Sequence, residues 1–111
     1  MDNVKDDVYY AGRLLQDLRF VARHMESVSE QRFSEDEILQ DAMMFRLIQI
    51  SECARRLTDQ YRSSRPEVPW FSVYGLRNRF VHDYGAVDLH IVYTTLTRDV
   101  PALIGLIGGE P

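Results

Sequence analysis

The sequence predicts an all-α domain, an antiparallel bundle of four to five helices, on three observations. Apolar residues recur at alternating steps of three and four along most of the chain, which is the period of a helix with one buried face. The β-branched residues form only short runs with no period of two, so no segment reads as a strand. A length of 111 residues, with 45% hydrophobic and 27% charged side chains, fits one ordinary domain, 1–111, with a single core.

The first helix is expected from about Val4 to Val28, with Val8, Ala11, Leu15, Leu18, Ala22 and Met25 in one stripe. Leu14, Val21 and Val28 widen that stripe, which implies more than one neighbouring helix. Ser34-Glu35-Asp36-Glu37 has the form of a capping box, so a second helix should start at Ser34. Its stripe runs Leu39, Met43, Leu47, Ile50, Ala54, Leu57, Tyr61, while Ile38, Phe45 and Ile48 make its first half apolar nearly all round and predict burial on several sides. Pro66 and Pro69 interrupt the pattern, and the stretch around them reads as an exposed loop. A third helix should open near Pro69 or Trp70, pass Leu76 and reach about Val81, with Tyr84-Gly85 ending it. Asp88 is a candidate N-cap for a fourth helix that turns Leu89, Val92, Leu96 and Val100 inward, and Asp99 with Pro101 predicts a separate short helix through Ile107.

The N-terminus is acidic where a signal peptide would be basic, and no apolar run approaches the ~20 residues that a bilayer requires. A cytoplasmic protein with no membrane contact is the expectation. Cys53 is the single cysteine, which excludes an internal disulfide, and its apolar helical setting predicts a buried, inert thiol. His24 and His90 have no cysteine or acidic partner at ligand spacing, no zinc pattern or glycine-rich phosphate loop occurs, and neither a metal nor a cofactor is expected.

A net charge of −4 argues against nucleic acid, because cationic side chains supply most phosphate affinity. The distribution of charge argues the other way. Every basic residue between 51 and 85 is an arginine: Arg55, Arg56, Arg62, Arg65, Arg77 and Arg79. Arginine's planar fork suits phosphate, so Arg55, Arg56, Arg62, Arg65 and Arg79 are candidate RNA-binding residues, with a solvated helix face the equal alternative for any one of them.

The stretch Leu76-Arg77-Asn78-Arg79-Phe80-Val81-His82-Asp83-Tyr84 gathers polar chemistry at the end of a helix. Arg77 could neutralise a phosphate, His82 could exchange a proton near neutral pH, and Asn78 could orient the imidazole. These are the parts of a ribonuclease that works without metal, turning the ribose 2′-hydroxyl on the adjacent phosphorus and offsetting the charge of the phosphorane with a fixed cation. The same residues also fit a plainer account, with His82 on the last helix carbonyls and Tyr84 a packed aromatic. Residues five apart on an ideal helix differ by about 140° around its axis, so either the helix ends between Arg77 and His82 or a second copy of the chain completes the site.

The chain resembles the HepT-like toxins of the HEPN (higher eukaryote and prokaryote nucleotide-binding) superfamily. The resemblance rests on Ile48-Gln49-Ile50-Ser51-Glu52-Cys53-Ala54-Arg55-Arg56-Leu57, on Pro69-Trp70, and on the run from Gly75 to Tyr84. The family's Arg-x4-His-x-Tyr motif falls on Arg77, His82 and Tyr84. It implies a HEPN-like bundle that forms a homodimer and cleaves RNA without metal, encoded beside a minimal nucleotidyltransferase (MNT-type) antitoxin that transfers AMP from ATP to the motif tyrosine, here Tyr84. After that tyrosine many relatives carry a small or aromatic residue and then an acidic one, whereas this chain has Gly85-Ala86-Val87-Asp88. The competing expectation is a catalytically silent HEPN subunit that presents a nucleotide to a partner nucleotidyltransferase, which the acidic overall charge favours.

Overall fold

The first helix, α1 (Val4–Met25), forms the spine on which the other elements assemble. The computed structural model describes residues 4–81 and 88–108, with side chains over 6–76 and 88–108. Asp6 and Asp7 lie in the first turn of α1 and Arg23 and His24 in its last, each matched to the partial charge of that helix end. Leu14, Leu18, Val21 and Met25 are its core residues. Val8, expected in the buried stripe, is instead 74% exposed. Two carboxylates explain the rotation. Asp7 and Asp17 are both buried, and a buried carboxylate must be paired. Asp7 accepts from the Thr58 amide at 2.8 Å and from its hydroxyl at 2.6 Å, and Asp17 accepts from Arg46 at 2.7 Å. These bonds hold the Asp7 and Asp17 side of α1 inward and leave Val8 outside.

The helix stops at Met25 and does not reach Val28, whose amide turns back to the Met25 carbonyl at 3.2 Å. Ser29 then caps a short helix that sequence did not anticipate, α2 (Glu30–Glu35), by accepting from the Arg32 amide. Phe33, fully buried, fastens α2 to the core. Ser34 is consequently inside α2 and does not begin the next helix; its hydroxyl donates to the Gln31 carbonyl at 2.7 Å. The cap of α3 (Glu37–Arg55) is Asp36, which accepts from the Leu39 amide at 3.0 Å.

Met43, Leu47, Ile50 and Ala54 of α3 are buried as expected, but burial on several sides does not occur: Ile38 is 84% and Phe45 58% exposed. The long stripe to Tyr61 is also split. Helix α3 ends at Arg55, and Thr58 caps the separate α4 (Asp59–Ser63) by accepting from the Tyr61 amide. Thr58 can cap because Asp7 holds its amide and hydroxyl in place, so a side chain of α1 fixes the break. The prolines introduce α5 (Trp70–Val81).

After residue 88 come α6 (Leu89–Thr94), a π-helical segment (Thr95–Asp99) and α7 (Val100–Gly108) without interruption. Asp88 does cap α6, accepting from the His90 amide at 2.9 Å. The last helix expected after Asp99 is present as α7, but it is not separated from what precedes it. The chain stays helical through Pro101 because wide turns precede it, with the Val100 amide reaching back to the Thr95 carbonyl. Pro101 has no N–H, and in a regular helix its ring would press on the carbonyl four residues earlier.

Helix α1 packs against α3 and α7, α3 packs against α5, and α2 braces both α3 and α6. Leu14, Leu18, Met43, Leu47, Ile50, Val92, Leu96 and Val100, all at most 1% exposed, fill the centre. No strand occurs among the described residues, and no helix there is long and apolar enough to cross a membrane. Cys53 is buried, and desolvation pushes its thiol above the ordinary value, as an inert thiol requires.

Candidate active site

Helix α5 carries Arg77, Asn78 and Arg79 of the expected motif, and three contacts set its position. Val73 and Leu76 are buried against the core. The Ser51 hydroxyl of α3 donates to the Tyr74 carbonyl at 2.8 Å, a bond between two helices at a buried serine. At the N-terminal end, the Trp70 indole N–H is shared between the Arg62 and Arg65 carbonyls, each at 3.2 Å, which ties α5 to the end of α4 and the loop after it. Trp70 is therefore engaged within its own chain, whereas Phe71 beside it is 90% exposed.

Arg77, Asn78 and Arg79 lie on the last turns of α5, one turn beyond this fastening. Their side chains, and the whole of His82 and Tyr84, lie outside the described residues. Expectations about the mutual geometry of Arg77, Asn78, His82 and Tyr84 fall with them.

The other candidate arginines are described, and they are not equivalent. Arg62 bends back over the end of α3, donating to the Leu57 carbonyl and pairing with Asp59, so most of its donors are committed within the protein. Its guanidinium also lies 5.5 Å from the Tyr74 ring centre. Arg55 sits 5.9 Å from the same ring, exposed. Arg56 lies 5.6 Å from the Tyr10 ring and donates to the Tyr10 hydroxyl at 3.2 Å. Arg65 stacks on Tyr61 at 4.0 Å. Such stacking occupies one face of a guanidinium and leaves its N–H edge available. Sequence reading picked out the arginines and missed the tyrosines that hold them. The signal was Tyr10, Tyr61 and Tyr74 on the helices that converge there, and it becomes visible only once those helices are placed.

Tyr74 is held by these cations and by α5 itself. Its hydroxyl oxygen is buried without a hydrogen-bond partner among the described residues, and burial pushes its pKa above the ordinary phenol value. His24 is exposed, 4.0 Å from the Phe20 ring, and His90 faces Glu30 at 2.7 Å. No group of three or more metal-ligating side chains converges among the described residues.

A helical bundle with a polar arginine motif closing its fifth helix defines a class to which sequence comparison gives a name. The model for the family described as Ribonuclease HepT-like matches residues 14–108, and the chain belongs to that family. A protein of Caldanaerobacter subterraneus subsp. tengcongensis named "Putative RNase" is 28% identical over 94 residues, covering 85% of this chain and 84% of its own. A "Probable ribonuclease HepT" of Thermococcus cleftensis is 24% identical, covering 82% of this chain and 86% of its own. A longer protein of Methanocaldococcus jannaschii, named "Gamma-glutamylcyclotransferase and putative RNase", is 25% identical across 89% of this chain, which spans 45% of that protein. No solved structure gives a significant match.

Proposed function

We propose that this protein is a metal-independent endoribonuclease and the toxin of a HEPN/MNT toxin–antitoxin pair. The observation that carries the reading is the family match over residues 14–108, which includes the whole of α5 and the motif from Arg77 to Tyr84. In this reading the ribose 2′-oxygen bonds to phosphorus and the bond from phosphorus to the 5′-oxygen breaks. The 2′-hydroxyl gives up a proton, and the departing 5′-oxygen gains one. His82 serves as general acid or base, Asn78 orients it, and Arg77 offsets the charge of the phosphorane.

A homodimer would bring two such motifs to one groove, and exposed Phe71 at the start of the motif helix is a candidate contact between copies. Tyr84 is the proposed site of control. Its phenolic oxygen would attack the α-phosphorus of ATP on a partner nucleotidyltransferase, pyrophosphate would leave, and the added AMP would block RNA by bulk and like charge. The acidic net charge of −4 favours the other reading, a silent nucleotide-binding subunit. Incubating the purified protein with total tRNA in the presence of a chelator separates the two. New 5′-hydroxyl ends that vanish in His82→Ala support the nuclease, and intact tRNA at high protein concentration supports the silent subunit.

A further inference from the structure

The end of α3 is where three helices present arginine and tyrosine to one another. Arg56 points to Tyr10 of α1, and Arg55 points to Tyr74 of α5. Because Arg55 and Arg56 are adjacent at the end of α3, the two contacts form one seam from α1 across α3 to α5. Tyr9 extends the seam on the α1 side, edge-on to Tyr10 at 5.0 Å and 59% exposed. On the α5 side the seam reaches Tyr74, three residues before Arg77.

Two of the carboxylates near the seam are engaged elsewhere. Asp7 is taken up inside the protein by Thr58, and Asp59 by Arg62. Arg55 and Arg56 are exposed and form no ion pair among the described residues. Each is held against a ring, which lowers the freedom it loses on binding and leaves N–H donors facing outward. Tyr9 offers an uncovered aromatic face beside them. Two adjacent cations held between tyrosines, with the open ring of Tyr9 at one end, match a single strand, whose phosphates need charge and whose unpaired bases need a flat surface. A duplex keeps its bases stacked on each other and could use only the cations.

We propose that the seam Tyr9, Tyr10, Arg56, Arg55, Tyr74 is a binding track for single-stranded RNA, which leads the strand across the end of α3 to the motif helix. This rests on the ribonuclease reading for its direction, but its test does not depend on cleavage. The probe is a fluorescein-labelled 12-nucleotide 2′-O-methyl RNA, which lacks the attacking hydroxyl, with binding to the full chain read by fluorescence anisotropy. Tyr9→Ala should weaken binding by about tenfold, the range for loss of one stacked base. Arg55→Gln/Arg56→Gln should weaken it further and reduce the slope of log affinity against log salt by about 1.4, from about 0.7 per phosphate contact on a single strand. The duplex of the same sequence should bind more weakly and be indifferent to Tyr9→Ala.

Wild-type affinity and salt slope in the arginine pair would overturn the track. Equal affinity for duplex, or no effect of Tyr9→Ala, would overturn base stacking as its basis. Cleavage of ordinary RNA by the wild-type chain keeps the two readings apart. Tight binding that responds to the seam variants, in a protein that leaves ordinary RNA uncut, upholds the track and overturns the nuclease.

Discussion

Ser51, buried on α3, donates its hydroxyl proton to the carbonyl of Tyr74 on α5 across 2.8 Å, three residues before Arg77. That bond fixes how far along α3 the motif helix sits, which apolar contact alone determines loosely. Ser51→Ala should lower stability in urea unfolding by about 1 kcal/mol, the usual net value of one such bond. If α5 must stay in register for chemistry, kcat should fall more than KM rises. An unchanged unfolding midpoint would show that the bond carries no net stability.

The pairing of Asp17 with Arg46 predicts an asymmetric mutant cycle. The Asp17 side chain is 1% exposed and that of Arg46 26%, and the Arg46 guanidinium also lies 3.7 Å from the Phe20 ring centre. Removing the cation strands a buried carboxylate, whose second oxygen already has no partner among the described residues. Arg46→Met should cost about 3 kcal/mol, the lower end for a broken buried pair because Arg46 is partly solvated. Asp17→Leu in the same chain should recover much of that loss. Additive losses in chemical denaturation would contradict the assignment.

His90 and Glu30 link α6 to α2 at 2.7 Å, both exposed. The hydrogen bond that the His90 ring donates to Glu30, and then the Glu30 charge, raise the His90 pKa above the ordinary 6.5. A raised histidine pKa contributes stability that is full below the unfolded value and is lost as pH rises through the folded one. An NMR titration should therefore place His90 above 6.5 in the native protein, and Glu30→Gln should lower it. A titration of His90 that does not change in Glu30→Gln would mean the pair does not form in solution.

Cys53 should be unreactive in the native protein. Its thiol is buried and desolvation raises its pKa, so little thiolate exists at neutral pH. A thiol-specific chromogenic reagent should label it slowly until denaturant is added and then react once per chain. Rapid labelling of the native protein at pH 7 would contradict the burial.

Arg77→Ala and His82→Ala should each abolish RNA cleavage without altering the circular dichroism of the fold, since neither belongs to the apolar stripes. Co-expression with a cognate nucleotidyltransferase should add the mass of AMP to the chain, and Tyr84→Phe should prevent it. An inhibited chain of unmodified mass would point to occlusion by the partner instead.

The stripes of α3 and of the helical run that begins with α6 were legible because Met43, Leu47 and Ile50, and then Val92 and Leu96, repeat at helical spacing and are all buried. Boundaries set by long-range bonds were not. The end of α3 depends on Asp7, 51 residues from Thr58, and the orientation of α1 depends on Asp17 meeting Arg46. A local capping pattern could not reveal that Phe33 would pull Ser34 into an extra helix. At the site, the motif on α5 was visible from residue types, while the tyrosines gathered around Arg55 and Arg56 required the helices to be placed.

The wide turns at Thr95–Asp99 act as a phase adjuster for the end of the chain. An α-helix turns about 100° per residue, so each residue spent in a wider turn shifts the angular setting of all that follows. Val100, Leu103 and Ile107 are buried in this setting while Leu106 is 38% exposed. Deleting one residue between 95 and 99 would let ordinary winding replace the wide turns over nearly the same total rotation, so Leu103 and Ile107 would keep facing the core. The extra residue that the wide turns absorb can thus be lost there, whereas the same deletion inside α7, between Val100 and Leu103, would swing Leu103 and Ile107 by about 100° away from the core.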